Sequence, residues 1–213
     1  MKVSFEKKQI GIKIRNPLSV FLICWALFCC IPNLYSQENP AVGEANVIIK
    51  LSNGEIVKVG LDRTLDMPLY FTQGNFLPGE RYQIQVENCN YNYVYVIGSD
   101  QSNSTQLIYS QKSPLLIGQK LIIPGERSFL SVDDSKGKDY LSILFSDHRL
   151  DIKEIIDNII FSPGNYYDKL RRSLSSDLIP SADIRNVINK MSFKARDKDK
   201  IVAITFEIKH AEN

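Results

Sequence analysis

A chain of 213 residues has room for one domain with at most a small appendage, and it can bury a full core without disulfide staples. Apolar residues at 44% and charged residues at 23% exclude an intrinsically disordered chain. The net charge of +2 resides in the first segment of the chain, so it does not describe the fold that follows.

That segment carries Lys2, Lys7, Lys8, Lys13 and Arg15, then an unbroken apolar run from Leu18 to Ile31, then Pro32 and Asn33. The layout predicts a secretory signal peptide over 1–36, cut after the small residue Ser36. The run is shorter than the roughly 20 residues a spanning helix needs, which counts against an uncleaved anchor. Lipid attachment at Cys30 is disfavoured, because Leu27 and Phe28 stand where a lipidation motif wants small residues. The expected protein is exported, periplasmic or secreted. Removing 1–36 takes away five basic residues and one acidic residue, leaving 21 and 23, a net of −2. No basic face remains that would suit nucleic acid, and a membrane is expected to be met only through the signal before cleavage. Of the four cysteines only Cys89 survives cleavage, so no internal disulfide is expected.

Residues 37–45 are polar and contain proline and glycine, which reads as a linker. Period-2 alternation then begins. Val47, Ile49 and Leu51 share a face, Asn53-Gly54 marks a turn, and Val57, Val59 and Leu61 follow, which predicts a hairpin. Residues 62–80 form a long connection whose Leu69, Tyr70, Phe71 and Phe76 should pack on the core. Strands are predicted around Tyr82–Val86, 91–98, 105–109, 121–123, 128–132 and 141–146. From Asp151 the period changes to that of a helix, with Glu154 completing a capping box and Ile152, Ile155, Ile156 and Ile159 on one stripe. A weaker helix is predicted over 166–174. A third should start at Ser181, with Ile184, Val187, Ile188 and Met191 on its stripe. A basic turn from Lys194 to Lys200 leads to a last strand, with Val202, Ile204, Phe206 and Ile208 inward and Ala203, Thr205, Glu207 and Lys209 outward. So apolar a strand should re-enter the main sheet. The pattern predicts a mainly β chain: an Ig-like antiparallel β-sandwich over 46–149, then a helical excursion and returning strand over 150–213 packed on the same domain.

Motifs for chemistry are sparse. His148 and His210 are the two histidines, and no G-x-S-x-G, H-E-x-x-H or C-x-x-C occurs. Asp133, Asp134 and Asp139 crowd oxygens into a glycine loop, as calcium requires, but Lys136 and Lys138 sit among them and would repel the ion. No enzyme activity, cofactor or metal is therefore expected. Tyr91, Tyr93 and Tyr95 are spaced by two, which on a strand puts three rings on one face. Either that face is exposed and takes a partner or a sugar, or the rings pack in the interior or against the helices. Together with Asp100, Ser102 and Asn103 of the next loop, these tyrosines are the candidate contacts.

Pro78-Gly79-Glu80-Arg81-Tyr82-Gln83-Ile84, Tyr93-Val94-Tyr95-Val96, Leu107-Ile108-Tyr109, Ile122-Ile123-Pro124 and the turn from Ser135 to Asp139 follow one another in a familiar order. Over roughly 45–150 the chain resembles a widespread bacterial Ig-like envelope domain of unknown function, often attached to caspase-like peptidase or kinase modules. The Tyr-Ser-Gln-Glu signal end is similar to that of exported Bacteroidetes proteins. The prolines and threonine of that family's "P-P-G-T-E" turn are missing here; Gly137 and Asp139 are retained. The resemblance implies a non-catalytic accessory module. The expected function is binding of an envelope protein partner; the alternative is a carbohydrate- or cell-wall-binding module using the tyrosine face.

Overall fold

The computed structural model describes residues 42–62, 64–65, 67–100, 104–134, 137–186 and 191–211. The expected signal peptide, Ser102 and Asn103 lie outside the described residues. Among those described, no helix is long and apolar enough to cross a membrane.

Two six-stranded sheets face each other. The first comprises β1 (Gly43–Leu51), β4 (Arg81–Glu87), β7 (Leu121–Ile123), β8 (Leu130–Ser131), β10 (Ile184–Asn186) and β11 (Met191–Ala195). Its order is β10-β11-β1-β4-β7, with β8 paired to β4 beside β7. The second comprises β2 (Val59–Asp62), β3 (Leu69–Thr72), β5 (Tyr93–Ser99), β6 (Thr105–Ser110), β9 (Lys138–Ser146) and β12 (Val202–Lys209), in the order β2-β3-β12-β9-β5-β6. Every pair is antiparallel except β3 with β12, which run parallel. The chain is thus a mainly β sandwich with a C-terminal helical part, as its alternation predicts.

The core between the sheets follows from period 2. Val47, Ile49, Ile84, Val86 and Phe193 point in from the first sheet, and Val94, Val96, Ile143, Phe145, Ile204 and Phe206 from the second. The opposite face of the second sheet is covered too. Helix α1 (Ile152–Phe161) and helix α2 (Tyr166–Leu174) bury Ile155, Ile159, Tyr166, Leu170 and Leu174 against Tyr95, Ile97, Leu144 and Ala203. Each such fully buried side chain stabilises the helical layer by about 1.5–3 kcal/mol. The Asp151 carboxylate accepts from the Glu154 N–H at 3.1 Å, and the Asn165 side chain accepts from the Asp168 N–H at 2.9 Å, capping the two helices.

Several sequence expectations change. Residues 43–45 are not linker: they open β1 and pair with β11. The Asn-Gly turn forms, with Gly54 at φ 93° and a bridge between Lys50 and Ile56. Its second arm then leaves the first sheet, and β2 joins the second, so the hairpin is only a local one. The connection over 62–80 contains β3 and buries Tyr70 and Phe76. Among the described residues the expected third helix does not form; Ser181–Asp183 is a single 3-10 turn, followed by β10 and β11. Lys194 lies within β11 rather than in a turn. The sandwich does not end at residue 149, because 184–209 supplies three of its strands. Ala203, Thr205 and Glu207 are buried rather than outward, since helices cover that face and β12 lies inside a three-layer stack.

Candidate functional site

Sheet register builds one polar end of the helix-covered face. Glu207 of β12 lies opposite Tyr140 of β9, which lies opposite Ser99 of β5. Residues directly opposite share a face, so Glu207, Tyr140 and the chain entering Asp100 converge there. The first turn of α2 sits over them. The Tyr166 ring stacks on Tyr140 with centroids 5.5 Å apart and planes at 25°. The Tyr167 hydroxyl donates to the Met67 carbonyl at 2.7 Å and accepts from the Met67 N–H, tying α2 to the β2–β3 connection.

These parts enclose an open cleft of about 410 Å³, lined by Leu65, Leu69, Asp100, Tyr140, Asn165, Tyr166, Tyr167, Asp168 and Glu207. Glu207 pairs with Lys138 at 3.1 Å, and that contact raises the lysine pKa. Burial, then the Glu207 carboxylate, pushes the Tyr140 hydroxyl up, so it stays protonated. Burial raises Tyr166 as well; Ser142 opposes this slightly, yet the Tyr166 hydroxyl makes no hydrogen bond of normal geometry. Asp168 accepts from the Asn165 amide at 2.9 Å, and Asp100 accepts from the Ser104 N–H at 2.9 Å. Among the described residues, the carboxylates of Asp100, Asp168 and Glu207 and the ammonium of Lys138 meet at this cleft. Protonated hydroxyls, carboxylate acceptors and apolar walls suit a cationic or hydroxyl-rich group.

The candidate contacts divide. Asp100 lines this cleft. The three-ring platform of Tyr91, Tyr93 and Tyr95 does not exist, because β5 starts at Tyr93 and Tyr91 precedes it. Tyr91 is buried between the sheets against Phe145 and Phe193, at centroid distances of 5.9 and 6.1 Å. Tyr95 is buried under the helices, its hydroxyl accepting from the Leu150 N–H at 3.0 Å. Tyr93, half-buried, stacks on it. Packing against the helices, the other option open in the sequence, is what these two rings adopt. Tyr140, Tyr166 and Tyr167 line the cleft instead. A trace of that was visible: an Asn cap followed by two tyrosines and an acid, and a lone glutamate in an apolar strand.

The remaining reactive candidates are dispersed. Burial pushes the Cys89 thiol up to about 11, so it is protonated at neutral pH. His148 is exposed at a second cleft of about 450 Å³, beside Asp151, Glu154, Asp177 and Asp199, where Asp151 is engaged in capping α1. His210 is buried and faces Asp139 at 3.1 Å. Asp139 of the expected oxygen cluster is therefore turned to a histidine. No group of three or more His, Cys, Asp or Glu among the described residues is arranged to hold a metal. Comparison of the chain with protein-family models, with curated proteins and with solved structures gave no match.

Proposed function

We propose that this chain is an exported, non-catalytic interaction module of the bacterial cell envelope that binds a protein partner through the cleft at the start of α2. The observation that carries the reading is the cleft itself: tyrosines and carboxylates converge from four separate segments on an acidic, open recess. Such a recess fits a lysine or arginine side chain, whose ammonium or guanidinium meets carboxylates while its stem lies on the apolar walls and tyrosine rings. Asp168→Lys places a like charge in the recess without touching the buried core. A C-terminally tagged chain, crosslinked in the envelope of its own cells, should retain a stoichiometric protein partner, and the Asp168→Lys chain should lose it. Equal capture by both chains removes the cleft from the assignment.

A glycan reading draws on the same side chains, since tyrosine faces with carboxylate and amide groups also recognise sugar hydroxyls. Retention by wall material without any protein, again lost in Asp168→Lys, would favour it.

A further inference from the structure

The helical layer meets the second sheet across a different kind of interface from the one between the two sheets. Strand β9 contains the run Leu141-Ser142-Ile143-Leu144-Phe145-Ser146. Its residues toward the first sheet, Leu141, Ile143 and Phe145, are all apolar. Its residues toward the helices include Ser142 and Ser146, both buried. β12 repeats the contrast: Val202, Ile204 and Phe206 face the first sheet, whereas Thr205 and Glu207 are buried on the helix side. Ser142 lies opposite Thr205 in the register, and their hydroxyls bond each other at 2.9 Å.

The helices answer this polar face poorly. The Tyr166 side chain is 2% exposed, and its hydroxyl is buried without a hydrogen-bond partner of normal geometry among the described residues. Lys169, three residues on, is 7% exposed, and no carboxylate or other acceptor meets its ammonium among the described residues. A polar group that loses water without gaining a partner destabilises the state that buries it. That state is the closed one, since lifting the helices rehydrates both groups. Apolar contacts of Ile155, Ile159, Leu170 and Leu174 hold the layer down against this.

Connectivity lets the layer lift by itself. Before α1, the Asp147 carboxylate accepts from the Asn92 N–H at 3.3 Å and pairs with Lys198 at 2.9 Å. After α2, the Ile201 N–H donates to the Asp177 carbonyl at 2.7 Å, and the Ile179 N–H donates to the Ile201 carbonyl at 3.0 Å. Residues 148–176, between these anchors, contribute no strand to either sheet. Their departure unpairs no ladder bond.

We propose that α1 and α2 form a hinged lid on the second sheet, which opens as a unit while the sandwich stays folded. Opening takes the cleft apart. Asn165, Tyr166, Tyr167 and Asp168 ride on the lid, whereas Asp100, Tyr140 and Glu207 stay on the sandwich. A group bound between the two walls therefore holds the lid shut. The lid rests on the buried polar groups and the two anchors, and it stands whether or not the cleft takes a partner.

Neighbouring residues of β12 report the two interfaces separately, because Ala203 is buried beneath the helices and Val202 between the sheets. Ala203→Cys and Val202→Cys are made singly in the full chain, and native-state labelling by a thiol reagent is located by peptide mass spectrometry. Cysteine at 203 should label at least about tenfold faster than cysteine at 202. Tyr166→Phe and Lys169→Met remove the unpartnered groups and keep their bulk. Each should slow labelling at 203 by about three- to tenfold and leave 202 unchanged. Equal rates at 202 and 203 mean one cooperative unit and overturn the proposal, as does faster labelling at 203 in Tyr166→Phe. Hydrogen exchange of the unaltered chain checks the point without any substitution. Amides inside α1 and α2 should open together, at least about tenfold more often than those of β9 and β12. Protection equal to that of the strands, or a gradient of fraying inward from the helix ends, refutes the lid.

Discussion

Tyr95 separates a surface platform from a core. Its ring is 1% exposed between the second sheet and α1, and its hydroxyl is the acceptor for the Leu150 N–H at 3.0 Å, where the chain leaves β9 for the helices. Tyr95→Ala deletes a buried aromatic ring, which costs about 3–5 kcal/mol in a core that cannot fully collapse. Tyr95→Phe keeps the ring and removes only the acceptor, costing about 1–3 kcal/mol because the Leu150 N–H is left without it. Tyr93→Ala, half-buried and stacked on Tyr95 at 6.4 Å, should cost less than Tyr95→Ala. Urea titrations followed by far-UV circular dichroism give these differences directly, and at about 2–4 °C per kcal/mol the Tyr95→Ala chain should melt roughly 6–20 °C lower. If Tyr95→Ala stays within about 1 kcal/mol of the parent and instead loses partner capture, the ring is a contact residue and the packing argument fails.

Three further expectations follow from single residues. A Cβ on Gly43 would lie 2.0 Å from the Tyr91 hydroxyl oxygen and 2.3 Å from its ring, so Gly43→Ala should destabilise the chain by about 1–3 kcal/mol; a neutral result would return residues 43–45 to a linker. Cys89, with its thiol pushed up to about 11, should react with a thiol reagent at pH 8 roughly 100-fold more slowly in the folded than in the urea-unfolded chain; similar rates would contradict its burial. Burial raises the Asp139 carboxyl above its ordinary 3.8, and His210 offsets only part of this. The folded state therefore holds a proton here that the unfolded state has released, and this contribution to stability is full below 3.8 and lost as pH rises through the raised value. Asp139→Asn should flatten that part of the stability profile, measured as melting temperature against pH; parallel profiles for the two chains would refute it.

Local sequence determined much of this protein. Alternation placed Val47, Ile49, Ile84, Val86, Val94, Val96, Ile143 and Phe145 on inward faces, because a pleated strand allows two directions and only one meets the core. Asp151 and Glu154 marked the start of α1, because an unsatisfied N–H needs a nearby side-chain oxygen wherever the helix later packs. Turn chemistry at Gly54 was equally local. Tertiary structure decided everything that depends on a second layer. Period 2 says that Tyr93 and Tyr95 share a face, not whether helices will cover it, so their burial could not be read from spacing. The segment 181–195 has apolar residues at helical spacing, yet β10 and β11 form there because β1 presents an edge to pair with. Glu207 is a surface residue by type and becomes a wall of the cleft only because β12 lies at the middle of its sheet, opposite Tyr140 and beneath α2. The candidate site therefore depends on residues brought together from Leu65 to Glu207, and long-range packing is the one kind of interaction that a sequence does not display along its length.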